Sequence, residues 1–331
     1  MKILVTGATG FIGRKLVAAL VEEGHDVTAF VRPTSNKAGL PEGIRYCEGD
    51  MLDEPSLKNA VEGQDAVIHL AAYFDFYPTD VDLLYRVNVE GTRNLMKACV
   101  GTSVQRFIYC STTETIGPVR YPPGNEDTEL RPQFDYAKSK IEAECAIREI
   151  TNETDLGHVI IRPTGSMGEG ELYVIYEIAQ EVHGNKVFAL PRDLSTEFMY
   201  TYIDDVVSGF IAALTPITVL NNTIILCPDE KMTWENLLEL MTTHLGAKPP
   251  RLRVPKILAK LGMAILSPFK NRKRMTFFWH MKSVDIITGD DRVFSNEKAK
   301  RLLGWAPMVS MEEGFRRSIE WYLEQGYLQK E

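Results

Sequence analysis

Long hydrophobic runs are missing from this sequence: no stretch approaches the ~18 consecutive apolar residues of a membrane span, which excludes a spanning helix. No separate apolar segment with a cleavage site precedes the first structural pattern, so no secretory leader is expected. Cysteine is scarce. Cys47, Cys99, Cys110, Cys145 and Cys227 make an odd count with no Cys-x-x-Cys and no metal-ligand spacing. That excludes a disulfide scaffold and fits reduced thiols or small buried hydrophobes, and no histidine spacing points to a metal either. An excess of positive charge is also absent. With 37 Lys and Arg against 45 Asp and Glu, the net charge is −8 and no basic stripe runs through the N-terminal half, which sets nucleic acid aside as a partner. Internal repeats and low-complexity linkers are lacking too. What remains is a 331-residue chain, 44% apolar and 25% charged, read as a soluble cytoplasmic protein of one large domain or two.

The most informative stretch is the first thirteen residues, Met-Lys-Ile-Leu-Val-Thr-Gly-Ala-Thr-Gly-Phe-Ile-Gly. Ile3, Leu4 and Val5 suit a buried parallel strand, and Gly7, Gly10 and Gly13 follow at three-residue spacing just before a helical pattern begins. Glycines in such a turn let backbone approach an anion, and the free N–H groups of the helix's first turn favour a pyrophosphate. The spacing is Gly-x-x-Gly-x-x-Gly rather than Gly-x-Gly-x-x-Gly, so the motif draws its weight from its place between strand and helix.

Further strands are expected over residues 26–31, 44–48, 66–70, 107–110 and 159–162. Helices are expected over 11–21, ending at Gly24, and over 53–61, 80–100 and 136–150. This alternation predicts an α/β fold with a doubly wound parallel sheet, whose ligands sit at the carboxyl ends of the strands. The loops after Val5, Val31, Leu70 and Cys110 should therefore converge on one crevice. Arg32, at the end of the second strand, is placed to accommodate a 2′-phosphate and favours NADP over NAD; the alternative is a solvated surface arginine. Ala71 and Ala72 allow a cofactor to lie against the backbone. Beyond Gly170 the alternation weakens. Strand-like runs at 197–203 and 223–226 interleave with helical ones at 205–214, 234–245, 298–303 and 311–323. The expected division is a dinucleotide-binding domain over 1–168 and a smaller α/β substrate domain over 169–331, with elements able to cross back. Val254, Ile257, Leu258, Leu261 and Ile265 share a helical face ahead of Pro268 and the cluster Lys270, Arg272, Lys273, Arg274. Residues 254–274 could thus rest weakly on a membrane surface or gate an apolar pocket, the plainer alternative being a helix packed on its own domain.

Tyr136 and Lys140 are one helical turn apart and share a face. A tyrosine with an ordinary pKa of ~10 needs roughly 4 kcal/mol of phenolate stabilisation to titrate near 7, and a neighbouring ammonium supplies such a field while its donors hold a ribose hydroxyl. Cys110-Ser111-Thr112-Thr113 ends the fifth strand, where a hydroxyl can bond a bound carbonyl oxygen or simply form a turn. Tyr73, Phe74, Phe76 and Tyr77 form either an aromatic substrate wall or core packing. Asp204 either approaches the substrate or caps the helix after it.

These residues resemble the extended short-chain dehydrogenase/reductases. The likeness lies in Thr6-Gly7-Ala8-Thr9-Gly10-Phe11-Ile12-Gly13, Gly49-Asp50, His69-Leu70-Ala71-Ala72, Asn88-Val89-Glu90-Gly91-Thr92, Tyr136-Ala137-Lys138-Ser139-Lys140 and Arg162-Pro163, and more thinly in Tyr202 to Val206 and Lys298 to Pro307. The resemblance implies a Rossmann fold, with Tyr136 as acid/base, Lys140 orienting it and the nicotinamide ribose, and Thr112 aiding the substrate oxygen. Asn88 matches an asparagine with a structural or relay role. Cofactor contacts are expected at Gly7, Thr9, Gly10, Phe11, Ile12, Gly13, Arg32, Asp50, Met51, Leu70, Ala71, Ala72, Tyr136, Lys140 and Pro163. Two positions depart from the family pattern: Thr112 replaces the commoner serine, and the bulky Glu114 stands where small residues are usual, on the substrate floor.

The stretches 31–35 and 85–92 look most like the dihydroflavonol-reductase-like branch, and the C-terminal part with Leu303-Gly304-Trp305-Ala306-Pro307 is similar to hydroxysteroid dehydrogenases. The implied activity is NADP-dependent interconversion of a ketone or aldehyde and an alcohol on a bulky, rather apolar small molecule; a homodimer is a family expectation. A nucleotide-sugar epimerase or dehydratase, which holds NAD, and a non-catalytic NADP sensor are the alternatives.

Overall fold

The computed structural model describes residues 1–187, 189–250, 252–266 and 281–328. The first strand, β1 (Lys2–Thr6), is buried from Ile3 onward. Helix α1 (Phe11–Glu22) buries Leu16, Val17 and Leu20 and stops at Gly24, whose positive φ of 80° ends the turn. Then come β2 (Asp26–Val31), β3 (Arg45–Glu48), α2 (Glu54–Val61) and β4 (Ala66–His69). Asp53 caps α2 by accepting the Ser56 N–H, and Pro55 sits in its first turn.

The helix expected over 80–100 is three pieces: α3 (Val81–Tyr85), a π-turn segment (Arg86–Glu90) and α4 (Gly91–Cys99). The cause is local. The Thr92 hydroxyl donates to the Asn88 carbonyl (2.6 Å), and a Cβ on Gly91 would lie 2.9 Å from that of Met51, so the backbone is pressed close at the widened turn. The chain continues through β5 (Arg106–Cys110), α5 (Asp135–Asn152), β6 (Gly157–Pro163), β7 (Gly165–Met167), α6 (Val174–His183) and β8 (Ala189–Pro191).

The strand expected over 197–203 divides into β9 (Glu197–Phe198) and β10 (Tyr200–Tyr202), which pair with different partners. Between them the Met199 sulfur accepts the Phe294 N–H, which turns the chain. The remaining elements are α7 (Ile203–Ala212), β11 (Asn222–Leu226), β12 (Met232–Thr233), α8 (Trp234–Leu245), β13 (Leu252–Val254), α9 (Lys256–Leu266), α10 (Met281–Thr288), α11 (Glu297–Leu303) and α12 (Met311–Glu324). Val254 thus ends a strand rather than opening the apolar helix. Asp204 does not cap α7, which starts one residue earlier; it lies 3.4 Å from Lys15. Its neighbour Asp205 accepts the N–H groups of Met308 and Val309, tying the C-terminal segment to α7.

Seven parallel strands form the central sheet in the order β11-β6-β5-β4-β1-β2-β3. Ile3 lies between Val27 and Ala66, so β1 is an interior strand with a parallel neighbour on each side, and the crossover direction reverses beside it. Alternate residues serve opposite faces. Ile3, Val5, Ile68 and Ile161 pack with α1 and α7, whereas Leu4, Val67, Phe107 and Ile160 pack with α2, α4 and α5. Both faces are covered, which explains the continuous apolar strand runs. The seventh strand, β11, comes from the second half of the chain, as does α7. The shorter strands pair as β7 with β10, β9 with β12 and β8 with β13, beyond the carboxyl ends of the sheet. No helix among the described residues is long and apolar enough to cross a membrane. On α9, Ile257, Leu258, Leu261 and Ile265 are exposed; the basic cluster at 270–274 lies outside the described residues.

Candidate active site

One cleft of about 1520 Å³, counting its open mouth, runs along the carboxyl ends of β1, β4, β5 and β6. Its first wall is the glycine turn. Gly7 has φ +69°, and a Cβ there would lie 2.6 Å from the Ala71 nitrogen; one on Gly13 would lie 2.1 Å from the Gly7 carbonyl oxygen. Only glycine lets strand, turn and helix close this tightly. Gly10 precedes α1 without a side-chain cap, so the helix's first N–H groups are left for a ligand at the cleft. Gly7, Gly10, Phe11, Ile12, Gly13, Leu70, Ala72, Thr112, Tyr136, Lys140 and Pro163 all line the cleft.

The other predicted contacts are not part of that lining. Ala71 belongs to the scaffold, its N–H donating to the Thr6 hydroxyl (3.2 Å), and Met51 is buried beneath Gly91. Thr9 is half-buried in the turn outside the cavity lining. Arg32 and Asp50 are exposed at the ends of β2 and β3, outside that lining. The Asp50 carboxylate accepts the Leu52 N–H, and the Arg32 N–H donates to the Ser35 hydroxyl.

Helix α5 carries Tyr136, Lys140 and Glu144 at successive turns, all buried. Lys140 is 2% exposed, and its ammonium lies 4.2 Å above the Tyr109 ring centroid. No hydrogen bond to Lys140 is found among the described residues, so its three donors are unspent where it meets the cleft. Burial brings its pKa down to about 8, against the opposing pull of Cys110 and Glu144. The phenol of Tyr136 behaves otherwise than expected. Burial pushes it above its ordinary value, and Cys110 and Glu114 push it further the same way, so the chain on its own holds the phenol protonated. A desolvated phenol surrounded by a thiol and a carboxylate has more to lose by ionising than the buried lysine restores.

Thr112 accepts the Glu114 N–H on its hydroxyl (3.1 Å) at the start of a tight turn, Thr113–Thr115. It therefore acts as a cap and also lines the cleft with its hydroxyl hydrogen uncommitted among the described contacts. Beneath it the Ser111 hydroxyl donates to Glu144, whose carboxylate also receives Arg162 Nε (2.9 Å), Arg162 Nη2 (2.6 Å) and Arg148 (3.0 Å). Asn88 accepts the Tyr73 N–H (2.7 Å) and donates to Ser139, which donates to the Tyr136 carbonyl. It joins the π-turn, the aromatic loop and the start of α5. His69, bonded to Thr6 and Thr92 and wholly buried, has its pKa pulled down to about 3 by burial, with Lys140 adding to it, and stays neutral.

The far wall is aromatic. Phe74 meets Tyr136 edge to face (5.0 Å) and also Tyr173 (5.6 Å), and Phe76 meets Phe134 (4.7 Å). Of the four aromatic residues at 73–77, Phe74 and Phe76 pack on neighbouring rings and line the cleft, whereas Tyr73 and Tyr77 are outside its lining. Sequence reading missed Glu171, Tyr173, Phe198, Tyr200, Trp234, Arg292 and Phe294, which close this end. For Glu144 a signal was present, the four-residue repeat Tyr136, Lys140, Glu144; for the others no local pattern announces a shared cavity.

The cradle suits a dinucleotide: Cβ-intolerant glycines, an uncapped helix start and a buried lysine with free donors. Comparison with known proteins agrees. The chain is 27% identical to "3-beta-hydroxysteroid dehydrogenase" of Mycolicibacterium neoaurum, over 98% of this chain and 92% of that one. It is 29% identical to "2-alkyl-3-oxoalkanoate reductase" of Stenotrophomonas maltophilia, over 96% and 98%. In fold it matches the UDP-glucose 4-epimerase of Thermotoga maritima crystallised with UDP-glucose, with a TM-score of 0.80 at 23% identity over 99% and 100% of the two chains. The pattern of the NAD dependent epimerase/dehydratase family matches residues 3–225, more than half of the sequence. The chain therefore belongs to that family, as an NAD(P)-dependent oxidoreductase of the extended short-chain dehydrogenase/reductase type.

Proposed function

We propose that this protein reduces a ketone or aldehyde on a bulky, largely apolar molecule, with NADPH as the preferred cofactor and Tyr136, Lys140 and Thr112 as the reacting constellation. The observation that carries the reading is the buried Lys140 ammonium, unspent in hydrogen bonds, one turn from Tyr136 between a glycine cradle and an aromatic wall. When bound, the dinucleotide supplies or accepts hydride at its nicotinamide ring. The chain's own groups do the rest. Gly7, Gly10 and Gly13 with the start of α1 receive the pyrophosphate, Lys140 holds a ribose hydroxyl, and Arg32 meets a 2′-phosphate. The Thr112 hydroxyl donates to the carbonyl oxygen, and Tyr136 Oη delivers its proton to the alkoxide as it forms. Burial, Cys110 and Glu114 keep the phenol protonated, which is the form that can donate a proton to the alkoxide. The 3β-hydroxysteroid dehydrogenase and 2-alkyl-3-oxoalkanoate reductase relatives bear names of ketone–alcohol chemistry, on a steroid and on an alkyl-bearing oxo acid. A division into cofactor-binding residues 1–168 and substrate-binding residues 169–331 fits the cleft, since Tyr173, Phe198, Tyr200 and Trp234 face it from the second part.

Against the nucleotide-sugar alternative, Lys140 and Arg292 are the two cations lining the cleft among the described residues, and Arg292 is engaged by Glu114 and Gln133, leaving no guanidinium free for a diphosphate. The test is NADPH oxidation against bulky ketones and nucleotide sugars, with products identified by NMR. Tyr136→Phe should lower kcat by about 10²–10⁴ while NADPH affinity changes little. Full turnover by that variant, or an isomerised sugar without net NADPH oxidation, would overturn the reading.

A further inference from the structure

We propose that Glu114 selects the substrate: braced by Arg292, its carboxylate takes a hydroxyl donor on an otherwise apolar carbonyl compound and turns away one with an anionic group at that end. This rests on the carbonyl-reductase reading of the cleft.

Glu114 follows Thr112 by two residues, and its N–H is bonded to the Thr112 hydroxyl (3.1 Å), so it stands beside the reacting oxygen's binding place. Its Oε1 is 3.5 Å from Arg292 Nε; its Oε2 is shielded from solvent and has no hydrogen-bond partner. The guanidinium is itself fixed, donating to Gln133 Oε1 (2.6 Å), while the Arg292 N–H donates to the Glu197 carbonyl (2.8 Å). The pair is largely withdrawn from water, the side chains being 22% and 11% exposed. A shielded carboxylate oxygen without a donor has lost its hydration for nothing, and a ligand hydroxyl recovers it. The last torsion of a glutamate is soft, so that oxygen can turn to the cavity without moving the backbone. The carboxylate also helps to push up the phenols of Tyr136 and Tyr200, which line the same cleft. Around it the wall is Phe134, Phe198, Met199, Trp234 and Phe294. An anionic substituent would meet a guanidinium already paired and a carboxylate left over, an arrangement that rejects it.

The experiment uses 2-tetralone, its 6- and 7-hydroxy derivatives and the matching carboxylates. Affinity is read by tryptophan fluorescence with oxidised cofactor bound, since Trp234 lines the cleft, and kcat/KM is read separately with NADPH. One hydroxy isomer should bind about tenfold more tightly than the parent, and both carboxylates about tenfold more weakly. Glu114→Gln should remove the penalty against carboxylates and reduce the hydroxyl preference to under about threefold. Carboxylates that bind wild-type protein as well as the hydroxy ketones do would overturn the proposal, as would an unchanged ranking in Glu114→Gln. Should that variant not fold, the wild-type ranking decides alone. The expected ranking with no turnover of any ketone would refute the reductase reading and leave Glu114 as the selector; turnover with equal affinities would do the reverse.

Discussion

Replacing Arg162 with methionine removes the partner that makes Glu144 tolerable in the interior. In the native protein burial alone would push the Glu144 carboxyl up; the hydrogen bonds and charge of Arg162, with Ser111 and Arg148, outweigh it and hold the group below its ordinary value of 4.5. A depressed carboxyl contributes stability that is present above the unfolded pKa and is lost as pH falls through the folded one. Without Arg162, which makes two hydrogen bonds to this carboxylate of zero exposure, burial dominates and the same carboxyl moves above 4.5. The sign then inverts, because a raised carboxyl is most stable protonated and loses stability as pH rises through its folded pKa. Breaking one side of a buried pair costs about 3–5 kcal/mol at neutral pH. Arg148, 40% exposed and 3.0 Å away, keeps the loss toward the lower figure. With an unfolding entropy of about 2.1 cal/mol/K per residue over 331 residues, that is a fall in Tm of about 4–7 °C at pH 7. Scanning calorimetry from pH 4 to 7 should show the gap between wild type and Arg162→Met widening as pH rises. A gap of constant size, or one that widens toward acid, would refute the assignment of Glu144 as a charge held down by Arg162.

Lys140→Met should abolish reduction yet raise Tm at pH 7. A buried ammonium with pKa about 8 binds its proton more weakly folded than unfolded, so wild-type stability rises from pH 8 toward 10, and the variant's gain should shrink over that window in thermal melts. In wild type, cofactor affinity measured by titration should weaken above about pH 8 as the same group discharges. Gly13→Ala should cost about 1–3 kcal/mol in denaturant unfolding and weaken dinucleotide binding together, since its Cβ would meet the Gly7 carbonyl at 2.1 Å; unchanged binding would mean that the turn is not the pyrophosphate site. Arg32→Gln should lower kcat/KM for NADPH about tenfold or more while sparing NADH; equal effects on both would make Arg32 a surface residue.

The parallel sheet, its helices and the glycine turn were legible in the chain because their signals are local. Ile3 to Val5 must be apolar on both faces, Gly7 and Gly13 must lack side chains, and Tyr136 and Lys140 share a face by helical geometry alone. Where the local signal was silent the expectation failed: nothing in residues 80–100 announces that Asn88 and Gly91 open a π-turn, because the cause is contact with Met51, Tyr73 and Ser139. Likewise the Tyr136–Lys140 spacing implied a lowered phenol, but the field at Tyr136 is set by burial and by Cys110 and Glu114, which only the closed fold brings there. The buried ion pair of Glu144 with Arg162, and that of Glu114 with Arg292 across the cleft, join residues with no periodic relation. Periodicity records which side of an element faces the interior, and the sequence alone determined that much. Which charges share that interior depends on long-range packing, and only the tertiary structure decided it.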